Sequence, residues 1–174
     1  NYCNAYSGRE AEEEAEAQDL HFISETGLKA CLEKYQKPGR KYDVLVPLSG
    51  GVDSCFTLIQ IVEKFGLKPL VFHSDHGWDD PTATLNVEKL CKELDVDLLI
   101  WKNDLAFMRK LFKIFNESDD VELSACFACG NMLYLNGLEI ADHFNIPLVI
   151  NGYSKGQIAM MQDRDKAVDW YGKM

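Results

Sequence analysis

Tyr42-Asp43-Val44-Leu45-Val46-Pro47-Leu48-Ser49-Gly50-Gly51-Val52-Asp53-Ser54-Cys55-Phe56-Thr57-Leu58-Ile59 is the stretch on which the rest of the chain turns. Its first half is a short apolar run rich in β-branched residues, the pattern of a strand buried on both faces. Its second half places Val52, Cys55, Phe56 and Ile59 at helical spacing, continued by Val62 and Phe65 until Gly66 stops it. Between the two sits Ser49-Gly50-Gly51. Adjacent glycines let the backbone turn tightly and approach a ligand with no Cβ in the way. Unpaired amides at the helix start, together with the positive end of its dipole, form an anion site.

Ser49 and Ser54 add hydroxyl donors suited to phosphate oxygens. Asp53 is the odd member, because a carboxylate beside a phosphate needs a cation between them. Magnesium bridging Asp53 and the phosphates resolves that conflict. The plain alternative is an ordinary strand-to-helix turn with Asp53 stabilising the helix dipole. Neither G-x-x-x-x-G-K-[ST] nor G-x-G-x-x-G occurs. Without a loop lysine to grip the β and γ phosphates, hydrolysis at the γ-phosphate is not the expectation.

Outward from this stretch, strands and helices alternate. Apolar runs at 69–73, 97–101 and 146–150 read as strands; 25–35, 84–94, 105–115 and 131–144 read as helices. Such alternation predicts an α/β fold, doubly wound, with a mainly parallel sheet and helices on both faces. The segments 49–54, 73–78, 102–104 and 151–156 then share the rim at the strands' carboxyl ends, where ligands bind in open α/β sheets.

With 174 residues, 47% of them hydrophobic and 26% charged, the chain suits one soluble domain. An apolar run near the ~20 residues that span a bilayer is absent, as is a signal-peptide pattern, so a cytoplasmic location and no membrane partner are expected. A net charge of -10 argues against a surface that holds nucleic acid along its length. Much of that acid lies in Glu10, Glu12, Glu13, Glu14, Glu16 and Asp19, which read as a solvated helical face.

The loop Ser49-Gly50-Gly51-Val52-Asp53-Ser54 resembles the SGGxDS loop of the N-type ATP pyrophosphatases, the PP-loop or adenine nucleotide alpha hydrolase superfamily. Members cleave ATP between the α and β phosphates and attach AMP to a carbonyl or amide oxygen, which nitrogen or sulfur then displaces. The resemblance implies ATP and magnesium as cofactors, with the loop holding the departing pyrophosphate. It implies that Phe72, His73, Ser74 and Asp75 surround the adenosine, and that Gly152 approaches the nucleotide. The division it suggests is an N-terminal helical segment with a partial cysteine knuckle, 1–40, and a PP-loop domain, 41–174, truncated at its C-terminus.

Further features are similar to N-acetyl sugar amidotransferases and ExsB-like proteins: Tyr2-Cys3-Asn4, Lys41-Tyr42-Asp43, the pair Cys126 and Cys129, and Asn145-Ile146-Pro147-Leu148-Val149-Ile150-Asn151-Gly152. This likeness implies an AMP-forming amidotransferase of lipopolysaccharide biosynthesis acting on a small molecule. A partner glutaminase would deliver ammonia, since no amidase triad is visible. Two alternatives stay open: a thiotransferase fed by a sulfur donor, and a nucleotide sensor without turnover.

Cys126-Phe127-Ala128-Cys129 is a C-x-x-C pair at a helix start, a spacing that grips zinc or iron or forms a redox couple. One pair cannot close a tetrahedral site, and Cys3 is the best further ligand. Zinc, a [4Fe-4S] cluster, a sulfur relay and two ordinary cysteines all remain open. Cys31, Cys55 and Cys91 lie in helical patterns as core residues. Lys155 either brings a cation to the phosphates or is solvated. Phe107, Met108, Leu111, Phe112 and Phe115 make an apolar helix stripe, read as core or as the contact of a homodimer.

Overall fold

The computed structural model describes residues 25–117 and 125–153. Residues Lys29–Gly152 pack as one compact unit, distinct from a second to which Glu25–Leu28 and Tyr153 belong. In chain order the elements are α1 (Glu25–Tyr35), β1 (Val44–Pro47), α2 (Val52–Ile59) with a π-helical turn (Gln60–Lys64), β2 (Pro69–Asp75), α3 (Pro81–Glu93), β3 (Asp97–Lys102), α4 (Leu105–Glu117) and α5 (Ala125–His143).

β1, β2 and β3 form a parallel sheet in that order, with Leu45 beside Leu70 and Phe72 beside Leu99. On its other edge β1 meets the segment after α5. The Leu45 amide donates to the Leu148 carbonyl at 2.8 Å, and the Ile150 amide donates to the Leu45 carbonyl at 3.0 Å. This makes one parallel bridge, Leu45 to Val149, where the sequence predicts a whole strand over 146–150. Pro47 lacks the amide that the next rung of this ladder needs. The spatial order is therefore the 146–150 segment, β1, β2, β3, and the direction of winding reverses beside β1.

Strand alternation splits the buried side chains between two faces. On one face Leu45, Leu70 and Phe72 pack with Ile140, Ala141 and Ile146, and Tyr42, Leu99, Trp101, Leu133 and Val149 close around them. Val44, Val46 and Val71 point the other way and are equally buried, as are Leu58 and Ile61 of α2 with its π turn and Val87 of α3. Each such side chain contributes about 1.5–3 kcal/mol over leaving it in water. The expected doubly wound α/β architecture, with helices on both faces, is what the chain adopts. Among the described residues no helix is long and apolar enough to cross a membrane.

Boundaries shift where local chemistry overrides periodicity. α3 starts three residues ahead of the apolar pattern because the Asp80 side chain accepts the Thr82 amide at 2.7 Å and Pro81 suits the first turn. α5 begins at Ala125, not near 131, so Cys126 and Cys129 lie in its first turns. The apolar face expected for α2 is overturned at two positions. Val52 is 85% and Phe56 59% exposed, while Leu58 and Ile61 are buried. This helix is apolar almost all round, so spacing alone does not select the arc that the sheet covers. The acidic stretch 10–19 lies outside the described residues.

Candidate active site

β1 leaves the ladder at Pro47, and two bonds then hold the next residue. The Leu48 amide donates to the Phe72 carbonyl at 2.8 Å. The Leu48 carbonyl accepts from Nδ1 of His73 at 2.9 Å, so an imidazole replaces the next sheet bond just before the loop. Gly50 has φ +79°, and a Cβ there would collide with the Ala83 backbone carbonyl of α3. Asn86 of α3 donates to the Gly50 carbonyl at 3.3 Å. The loop is thus pressed against α3 as closely as a bare backbone allows.

Gly51 caps α2 with extended backbone and no side-chain bond. The first-turn amides of α2 are left without the carbonyls that later turns supply. Ser49 and Ser54 close a ring over this turn. Their hydroxyls lie 3.1 Å apart, Ser54 Oγ donates to the Gly51 carbonyl at 3.1 Å, and the Ser49 and Gly51 amides donate to Ser54 Oγ and Ser49 Oγ at 3.3 and 3.4 Å. These contacts are long and therefore weak, so the hydroxyls can turn outward to an anion at small cost. Asp53 is exposed in the first turn and its carboxylate has no partner among the described residues. A hard cation that arrives carrying phosphate oxygens suits such a lone carboxylate.

Gly152 comes in from the far side of β1. A Cβ there would stand 2.8 Å from both the Asp53 carbonyl and Thr57 Oγ1, and 2.9 Å from Ser54 Cα. The loop and the end of the 146–150 segment, predicted separately, thus meet at the point where the winding reverses. In such sheets that crevice takes the ligand. A groove of about 410 Å³ opens beside the loop, bordered by Gly50, Gly51, Val52, Phe56, Ile59 and Asn86.

At the end of β2 the four residues predicted to surround adenosine divide. Phe72 is wholly buried in the core, and His73 is only 2% exposed. Ser74 and Asp75 are half-buried at the rim. Asn103 Nδ2 donates to Ser74 Oγ at 2.9 Å and to the Asp75 carbonyl at 3.0 Å, and Asn136 Nδ2 donates to Asn103 Oδ1 at 3.1 Å. Beyond them His76 Nε2 lies 3.3 Å from Asp79 Oδ1, and its Nδ1 accepts the Trp78 amide at 3.2 Å. Phe112 of α4 stands edge-on to both His76 and Trp78. Both imidazole nitrogens of His76 are engaged within its own turn, which suits bracing the loop.

Asn86, Asn136 and Asp79 were not singled out by sequence, and Asn103 only as a member of the rim segment 102–104. Asn136 had a readable signal: it is the one polar member of the stripe Leu133, Asn136, Gly137, Ile140 at helical spacing. Lys155 and Cys3 lie outside the described residues, as does the side chain of Cys126; Cys129 is half-buried. Among the described residues no three His, Cys, Asp or Glu gather around a common point. Burial pushes the Cys55 thiol up, partly opposed by the Ser54 hydroxyl. Burial, with Cys55 nearby, pushes Cys91 to about 11. Both therefore stay protonated at neutral pH, as core thiols do.

No protein-family model matches the chain. An uncharacterized protein of Methanocaldococcus jannaschii is 26% identical over 126 residues, which are 72% of this chain and 43% of that protein. A tRNA(Ile)-lysidine synthase of Caldanaerobacter subterraneus is 32% identical over 92 residues, 49% of this chain and 20% of that enzyme. The chain thus spans less than half the length of these curated relatives. Among solved structures, an NH3-dependent NAD synthetase of Campylobacter jejuni superposes with a TM-score of 0.55 at 16% identity, covering 83% of this chain and 57% of that one. A glutamine-dependent NAD+ synthetase of Acinetobacter baumannii, in complex with ADP, gives 0.51 at 21% identity, covering 78% and 26%. The chain therefore has the Rossmann-like fold of the adenine nucleotide alpha hydrolases, which it shares with the NAD synthetases, and its glycine loop lies at that fold's switch point.

Proposed function

We propose that this chain binds ATP at the carboxyl rim of its sheet and transfers AMP to a carbonyl or amide oxygen of a small substrate. The observation that carries this reading is the glycine loop at the switch point. Gly50, at φ +79° against Ala83, and Gly152, against Asp53 and Ser54, bring bare backbone to one crevice beside the first-turn amides of α2. In the reaction the substrate oxygen attacks the α-phosphorus, the α–β bridging bond breaks, and pyrophosphate leaves. A nitrogen nucleophile then displaces AMP from the activated carbon. The fold shared with an NH3-dependent synthetase and the partial identity to a lysidine synthase support nitrogen as the incoming group.

The residues' tasks follow from their places. The α2 amides and the two serine hydroxyls hold the leaving pyrophosphate, and Asp53 holds the magnesium that accompanies it. Magnesium, when bound, supplies neutralisation of the charge that builds on the leaving group. Rate enhancement comes from positioning and charge compensation.

Calorimetry with magnesium plus ATP, AMP or pyrophosphate tests the reading. Each ligand is expected to bind. Asp53→Asn is expected to weaken ATP about tenfold with magnesium and to change little without it. A protein that ignores all three ligands would overturn the proposal.

A further inference from the structure

Ser74, Asn103 and Asn136 come from three different elements and form a polar layer at the edge of an apolar one. The strands explain it. Phe72 and Ser74 share a face of β2, Leu99 and Trp101 continue the same face along β3, and Asn103 follows just past its end. On α5, Leu133, Asn136, Gly137 and Ile140 share one side, and a Cβ on Gly137 would stand 3.8 Å from Leu45. Asn136 is thus held over the sheet, only 7% exposed, where an apolar side chain would otherwise fit.

The direction of each hydrogen bond in this layer is determined. A carbonyl only accepts, so the group of Asn103 that meets the Asp75 carbonyl at 3.0 Å is its NH2. The same NH2 donates to Ser74 Oγ at 2.9 Å. The remaining oxygen of Asn103 must accept, and it takes the NH2 of Asn136 at 3.1 Å. Ser74 therefore receives a bond on its oxygen and, among the described residues, keeps its single hydrogen unspent. It stands half-buried at the carboxyl rim, one residue past His73.

We propose that Asn136 and Asn103 are positioning residues that hold the Ser74 hydroxyl as a donor toward an acceptor atom on the nucleoside half of ATP. This inference rests on the adenylation reading above and assigns to that site a selectivity device. The three residues lie on β2, just past β3 and on α5, whereas the pyrophosphate amides belong to α2. The layer is therefore assigned to the nucleoside half and not to pyrophosphate.

Asn103→Asp tests the polarity, because a carboxylate of the same shape cannot donate. It accepts from Ser74 and turns that hydroxyl inward. Calorimetry with AMP and with magnesium pyrophosphate, on the intact protein, reads the outcome. Ser74→Ala and Asn103→Asp are each expected to weaken AMP about fivefold to tenfold and to leave pyrophosphate within about twofold. The double variant is expected to be no weaker than either single one, because both remove the same bond. A merely structural role would make the two losses add and would lower pyrophosphate binding alongside AMP; either result overturns the inference. Should Asn103→Asp fail to fold, Ser74→Ala decides alone: AMP binding unchanged while pyrophosphate still binds sinks the inference and spares the adenylation reading. Wild-type protein that binds neither ligand sinks both.

Discussion

At Gly50 the backbone sits at φ +79° with the Ala83 carbonyl where a Cβ would go. Gly50→Ala is expected to cost about 1–3 kcal/mol in backbone strain alone, with further loss from the contact, and to abolish nucleotide binding. Gly51→Ala is the control, since φ is -81° and its Cβ would meet only Ser49 Oγ, at 3.5 Å. Urea midpoints should separate the two variants, with only Gly50→Ala markedly unfolding. Asp80 makes a prediction in pH. The Thr82 amide, bonded to its carboxylate, holds Asp80 below the usual carboxyl range. A lowered pKa adds stability that is complete above the ordinary value of about 3.9 and is lost as pH falls through the folded value. The melting difference between wild type and Asp80→Ala should therefore stay constant from neutral pH down to about 4 and shrink below it. At this scale the sequence was explicit about the loop, because glycine and serine at a strand-to-helix junction have few other uses. It placed Asn103 in the rim segment 102–104 but not in its hydrogen-bond network, which joins residues 29 and 33 positions away.

Among the elements, α2 and α4 show how far periodicity reaches. On α4 the predicted stripe divides: Met108 and Phe115 are buried, Phe107 is exposed, and Phe112 supports His76 and Trp78 at the rim. Met108→Ala is expected to cost about 2–5 kcal/mol, whereas Phe107→Ala should stay within about 0.5 kcal/mol, as measured by chemical denaturation. On α2 the same contrast holds between buried Leu58 and exposed Phe56. A helix with apolar residues on most sides announces that it packs, and the neighbouring sheet chooses which side. Strand identity was easier to read, since a run such as Val44-Leu45-Val46 is buried whichever way it faces. The 146–150 segment carries the same apolar signal, yet it makes only one bridge, since Pro47 of β1 offers no amide for the next rung.

For the whole molecule, ligand binding should appear as stability. A ligand that binds only the folded state at 100 times its dissociation constant adds about 2.7 kcal/mol. For a chain of this size that raises the melting temperature by about 5–10 °C. Magnesium with ATP is expected to produce this shift in wild type and none in Gly50→Ala, read by scanning calorimetry. The winding supplies the reason that one crevice collects the site. The 146–150 segment and β2 flank β1 on opposite edges, so the segments that follow these strands diverge to either side and open a gap at the carboxyl end of β1.

The sequence by itself determined the alternation of strands and helices, the winding it implies, and the glycine turn at 49–54 between a strand and a helix. Each of these follows from local rules: residue spacing, backbone freedom and the unpaired amides of a helix start. Only the tertiary structure decided that Gly152 closes on Asp53, that His73 is buried beneath the loop and not open at the rim, and that the Asp75 carbonyl, through Asn103, sets the hydrogen-bond polarity at Ser74. Those facts join residues from different elements, and no local pattern records which side chains a folded sheet brings within 3 Å of one another.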